Sequence, residues 1–204
     1  MSYTKLQQNI ENIANLPFEE VAMDVFFYQA KHNALYNRYL SLLGKNANSI
    51  GSVQEIPFLP IPLFKNYAIQ TENWHPQEVF TSSGTTGATT SQHYLRDRSF
   101  YTQNTINGFE HFYQPIENYC ILALLPAYLE RKGSSLVFMA QQFIERSMFA
   151  ESGFFLDNLA DLNEILQKCE KEKRPTLLIG VSFALLELAE QYPQSLKNTI
   201  IMET

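Results

Sequence analysis

Residues 81–91 read Thr-Ser-Ser-Gly-Thr-Thr-Gly-Ala-Thr-Thr-Ser, a stretch in which no side chain is larger than threonine. Gly84 and Gly87 admit backbone torsions closed to other residues and let the main chain come close to a ligand. Successive amide N–H groups in such a segment converge into an anion-binding nest, and the flanking hydroxyls add donors. A triphosphate suits that environment, because its oxygens accept many hydrogen bonds and its charge is favoured where amides converge. The pattern is not G-x-x-x-x-G-K-[ST], which needs a lysine that is absent here, nor the G-x-G-x-x-G turn of dinucleotide-binding folds. A Ser/Thr-rich surface turn is the competing reading, and the restriction to small residues over the whole stretch disfavours it. Just beyond the loop, His93 is placed to touch a phosphate, and Arg96 and Arg98 are the nearest counter-charges.

Other reactive side chains are sparse. The two cysteines, Cys120 and Cys169, form no Cys-x-x-Cys pair, and each reads as a packed small residue, Cys120 inside a predicted strand and Cys169 inside a predicted helix. His32, His75, His93 and His111 lack the spacing of a zinc site. Fifteen Lys and Arg against 21 Asp and Glu leave a formal charge of -6, which supplies no field for gathering nucleic acid or anionic lipid. No run approaches the roughly 18 uncharged apolar residues of a membrane span, and the N-terminus lacks the apolar core of a signal peptide. A cytoplasmic location is therefore expected, without nucleic-acid partners and without a membrane span.

The elements that must position the loop can be read from periodicity. At 204 residues, 45% hydrophobic, with 15 Phe and 11 Tyr, the chain has ample material for a core. Leu6, Ile10, Ile13 and Leu16 keep a helical period, and Pro17 opens a second helical stretch reaching Gly44, interrupted on its apolar face by Lys31, His32 and Asn33. Residues 1–52 are thus expected to form a helical N-terminal cap. Pro57, Pro60 and Pro62 forbid both a regular helix and a central strand, predicting an extended strap that docks Phe58, Leu59 and Phe64. From Glu78 onward short apolar runs at 79–81, 119–125, 176–181 and 199–202 read as buried strands, separated by helices at about 97–112, 134–145, 159–172 and 182–191. That alternation predicts an α/β domain over 53–204, a largely parallel sheet covered by helices. The loop leaving a strand's carboxyl end is where such sheets bind ligands, and residues 81–91 are expected to occupy such a position.

The Ser-Ser-Gly-Thr-Thr-Gly core at 82–87 resembles the phosphate-binding signature of adenylate-forming enzymes, the superfamily of acyl-CoA synthetases and related ligases. The lysine that often follows the second glycine there is replaced here by Ala88-Thr89-Thr90-Ser91. This lysine-free form is similar to LuxE-type acyl-protein synthetases, the long-chain-fatty-acid luciferin-component ligases, with phenylacetate-CoA ligases as nearby relatives. Three more segments resemble that group in order along residues 56–204. They are Ile56-Pro57-Phe58-Leu59-Pro60 with Phe64-Lys65, then Leu125-Pro126-Ala127-Tyr128-Leu129-Glu130-Arg131 with Gly133-Ser134-Ser135-Leu136, and finally Gly180-Val181-Ser182-Phe183.

The resemblance implies the large N-terminal domain of an adenylate-forming enzyme. Such an enzyme uses ATP and Mg²⁺ to convert a fatty or aromatic carboxylic acid to its acyl-adenylate. It then transfers the acyl group to a thiol on a protein cysteine, a carrier or CoA. On that reading Thr81, Ser82, Ser83, Gly84, Thr85, Thr86 and Gly87 hold the phosphates, and Tyr128, Gly133 and Ser134 line the acyl-carboxylate pocket. Gly180, Ser182 and Glu203 lie on the nucleotide side, with Glu203 also the candidate Mg²⁺ ligand. The family's acyl-accepting cysteine lies toward the C-terminus and matches no motif here, so the chain is expected to stop short of a mobile C-terminal domain. A non-catalytic nucleotide- or acyl-binding module stays open as the alternative, given the absent loop lysine and cysteine. A phosphosugar-binding enzyme would also use a Ser/Thr loop, but leaves the proline strap and the turn at Tyr128 unexplained.

Overall fold

The computed structural model describes residues 1–82, 90–126, 133–156 and 158–204, which divide into two compact units, Met1–Gln103 and Asn104–Thr204. In the first unit, α1 (Tyr3–Glu11) is capped by Ser2, whose hydroxyl accepts from the Lys5 amide at 3.3 Å. Pro17 precedes α2 (Phe18–His32), which carries Glu19 and Glu20 in its first turn and Lys31 and His32 in its last, each sign placed where the helix dipole favours it. The long helical stretch breaks at Asn33, which ends α2 and caps α3 (Ala34–Leu42), its side chain accepting from the Tyr36 amide at 3.0 Å. Gly44, at φ +64°, closes α3: the Lys45 amide reaches back to the Leu40 carbonyl at 3.0 Å, a turn that needs a left-handed residue.

Phe26, Ala30, Tyr36, Leu40 and Ile50 form the buried cluster of these helices, and Ile56 and Leu59 of the strap pack against it. The Tyr36 hydroxyl ties the strap down by donating to the Pro57 carbonyl at 2.9 Å. The strap does not dock all the rings expected of it. Leu59 packs down while its neighbour Phe58 is 74% exposed, and Ile61 is 79% exposed. The strap ends in a single helical turn, α4 (Leu63–Asn66).

Strand β1 (Glu78–Thr81) pairs antiparallel with β2 (Gln92–Leu95), Thr81 facing Gln92, as a separate two-stranded sheet. This corrects the expectation that residues 79–81 belong to the parallel sheet. A four-residue strand with one fully buried side chain needs a single partner, and the short stretch after the loop supplies it. Helix α5 (Arg98–Glu110) follows, and the division between the units falls within it.

The second unit is built on β3 (Cys120–Leu124), α6 (Ser135–Arg146), β4 (Gly153–Phe155), α7 (Leu159–Lys171), β5 (Thr176–Gly180), α8 (Ser182–Gln191) and β6 (Thr199–Glu203). All four strands are parallel, in the order β4-β3-β5-β6. Every residue of β3 and β5 is buried, the mark of central strands covered on both faces. With the right-handed crossovers that parallel strands follow as a rule, this order puts α6 on one face and α7 and α8 on the other. Ala140 and Phe143 of α6, Leu162 and Leu166 of α7, and Ala184 and Leu188 of α8 close over the strands. The mixed α/β class with a parallel sheet flanked by helices is as the periodicity predicts, whereas three-residue β4 carried no apolar run long enough to announce it.

Candidate functional site

In the second unit the chain starts at β3, moves to β4 on one side, then returns past β3 to β5 on the other. The connection direction therefore reverses between β3 and β5, and the crevice outside the carboxyl ends of two such strands is where doubly wound sheets bind ligands. Gly133 and Ser134 lie between β3 and α6, Gly180 is the last residue of β5, Ser182 the first of α8, and Glu203 the last of β6.

Beyond β3, Gly133 adopts φ +80°, a left-handed conformation that favours glycine, and turns the chain into α6. Ser134 then caps α6, its hydroxyl accepting from the Val137 amide at 3.3 Å. At the other strand, Gly180 ends β5 in register with Glu203 of β6. A Cβ on Gly180 would stand 2.7 Å from Leu185 Cγ, so the missing side chain is what lets the first turn of α8 close onto the strand end. Ser182 opens α8 and donates its hydroxyl to Glu203 Oε1 at 2.5 Å across 21 residues of sequence, both side chains exposed. No side chain caps α8, since Val181 holds the capping position. Gly180, Ser182 and Glu203 are thus gathered at one place.

At the end of β6 opposite Glu203, a carboxylate fixes the turn into the strand. Glu170 of α7 accepts from the Lys197 and Asn198 amides, the Asn198 side-chain amide and the Thr199 hydroxyl, each at 2.9–3.0 Å in its closest contact. Burial raises the Glu170 pKa and these hydrogen bonds lower it; the bonds prevail, and its carboxyl sits below the usual range. The turn into β6 is pinned there.

Among the described residues no three His, Cys, Asp or Glu side chains gather as a metal cluster. The donor set beside Ser182, one carboxylate and one hydroxyl, suits Mg²⁺ arriving with a nucleotide, since that ion is commonly held by one or two carboxylates plus phosphate oxygens. Cys120 and Cys169 are fully buried, and burial pushes the Cys120 thiol up to about 12, leaving it protonated and inert.

In the first unit, Thr81 ends β1 and Ser82 closes the base of the hydroxyl-rich loop. The Ser82 amide donates to the Ser91 carbonyl, and the Ser91 amide to the Ser82 hydroxyl, both at 3.0 Å. The loop thus leaves an antiparallel hairpin, not a parallel strand. Ser83, Gly84, Thr85, Thr86, Gly87 and Tyr128 lie outside the described residues. His93 sits on β2 in ring contact with Phe64, and desolvation there holds it below the ordinary histidine range.

Arg96, expected as a counter-charge for phosphate, is partly engaged within the first unit. Its Nη1 donates to Glu72 Oε2 at 2.7 Å, and its guanidinium lies 3.7 Å from the centre of the Tyr3 ring. The other oxygen of Glu72 accepts from the Tyr28 hydroxyl at 2.5 Å. Glu72 itself has φ +69°, with its amide donating to the His32 carbonyl at 2.9 Å. The hydrogen bonds from Tyr28 and Arg96 hold the Glu72 carboxyl low, while burial and Glu72 together push Tyr28 up to about 12. This cluster and the cavity beside it were not visible in the sequence, because its members are 24 and 44 residues apart with no local motif.

No protein-family model, curated protein or solved structure significantly matches the chain.

Proposed function

We propose that the protein activates a carboxylic acid with ATP as its acyl-adenylate, for transfer to a thiol, in the manner of LuxE-type ligases. The observation that carries this reading is the meeting of Gly180, Ser182 and Glu203 at the carboxyl end of β5, beside the reversal point of a parallel sheet. The hydroxyl- and glycine-rich composition of residues 81–91 supports a triphosphate as the guest.

A carboxylate is a poor nucleophile toward the α-phosphorus, so such a reaction relies on positioning and on neutralising charge that develops on pyrophosphate. Backbone amides of residues 82–87 would take the phosphates, and Mg²⁺ would neutralise them when bound. Within the second unit Glu203, oriented by Ser182, would offer a Mg²⁺ ion a carboxylate, and Gly133 and Ser134 would border the acid. Carboxylate-dependent exchange of labelled pyrophosphate into ATP tests the reading. Exchange that requires an added acid and falls in Glu203→Gln supports it. ATP binding without exchange for any of a panel of fatty and aromatic acids replaces it with the binding-module alternative.

A further inference from the structure

The first unit contains a cavity of about 580 Å³ between α1, α2, α3, the strap and β2. That volume lies in the range of roughly 300–1,000 Å³ typical of small-molecule sites, and is several times the roughly 150 Å³ that admits benzene. Its wall is dominated by rings, among them Phe26, Tyr36, Phe64 and Trp74, and Phe18 and Phe58 stand at it 66% and 74% exposed. Rings of this kind favour a flat aromatic guest through offset and edge contacts.

Its formal charge is of one sign: among the described residues Arg96 is the only Lys or Arg side chain in the wall, and no Asp or Glu lines it. Glu72 stands behind Arg96 with both oxygens occupied, one by Tyr28 and one by Arg96 Nη1. Arg96 gives Nη1 to Glu72 and lies close to the Tyr28 hydroxyl, and a guanidinium's five N–H donors exceed what these two partners take, so donors are left over for a guest. His93, the other titratable nitrogen there, is held toward its neutral form.

We infer that this cavity is a second small-molecule site, for an amphipathic compound with an aromatic body and a single anionic head received by Arg96. It draws on residues of the first unit alone and does not depend on the nucleotide reading.

Trp74, the sole tryptophan of the chain, is in the cavity wall and reports on its occupancy. The full chain is titrated with 1-anilinonaphthalene-8-sulfonate and, in parallel, with N-phenyl-1-naphthylamine, which has the same rings without the charge. The expected result is saturable one-to-one binding of the anion with matching quenching of Trp74, a raised thermal midpoint, and at least fivefold weaker binding of the uncharged analogue. Ala22→Phe, which fills the cavity, should weaken binding at least tenfold. Phe58→Ser should weaken it about threefold while leaving the fold intact, because that ring is exposed. Binding that lowers the thermal midpoint, leaves Trp74 emission unchanged or is insensitive to both substitutions overturns the site. Equal affinity for the two dyes overturns the anionic head. Addition of Mg-ATP should leave dye affinity unchanged, so loss of either reading is seen separately.

Discussion

Replacing Gly180 with alanine places a methyl group where α8 meets β5. The new Cβ would stand 2.7 Å from both Cγ and Cδ2 of Leu185 and 3.3 Å from Cδ1, against the roughly 3.5–4.0 Å at which carbon atoms rest. Cγ is not the free end of the side chain, so either Leu185 changes rotamer or the start of α8 lifts from the strand. Overpacking of this kind costs about 1–3 kcal/mol. Leu185→Ala removes the obstacle together with part of its own packing, at a cost of about 2 kcal/mol for a half-buried leucine. In the double variant the added methyl meets no obstacle, so the two costs should fall short of additive by about 1–2 kcal/mol. Urea denaturation of the four proteins, followed by far-UV circular dichroism, measures this coupling. Additivity to within about 0.5 kcal/mol would refute the packing role assigned to Gly180. If the double variant regains stability but not ATP affinity, the glycine serves a ligand as well as the helix.

Three further perturbations act on named carboxylates and one phenol. Glu170→Gln turns an amide NH₂ toward a cluster of donors, so it should destabilise the second unit by about 2–3 kcal/mol and speed hydrogen exchange at residues 197–203. Glu151 is held down to about 2, first by Lys168 and then by Arg174, which also lies over the Phe149 ring. A depressed carboxyl pKa contributes stability above about 4.5 that disappears as pH falls toward 2. Screened through solvent, that share is about 1 kcal/mol, and an acid titration of Glu151→Gln should show it missing. Tyr28 has the opposite sign. Its pKa is raised to about 12, so its contribution is intact below about 10 and is lost as pH rises from 10 toward 12. With the ring only 6% exposed, Tyr28→Phe should be less stable than the parent at pH 8 by about 1–2 kcal/mol and should close that gap by pH 12.

The second unit was legible because burial on both faces forces continuous apolar runs. Residues 119–125 and 176–181 could only be central strands, and helices of ten to thirteen residues between them fixed the crossovers. β2 was not legible, since Gln92-His93-Tyr94-Leu95 has two exposed polar residues and its strand character comes from pairing with β1. The same holds for Glu170 and for the Tyr28, Glu72 and Arg96 cluster, whose partners are distant in sequence and are chosen by packing. Gly180, Ser182 and Glu203 were singled out by resemblance and the structure gathers them at one strand end, whereas the charged residues partnered across the first unit carried no local signal.

The phosphate-binding role of residues 81–91 is tested most directly by hydrogen–deuterium exchange of the full chain with and without Mg-ATP. Protection should appear in peptides covering 81–91 and 180–184, with residues 197–200 at the far end of β6 unchanged. Saturating Mg-ATP that leaves residues 81–91 unprotected, or that protects only peptides elsewhere, contradicts the assignment.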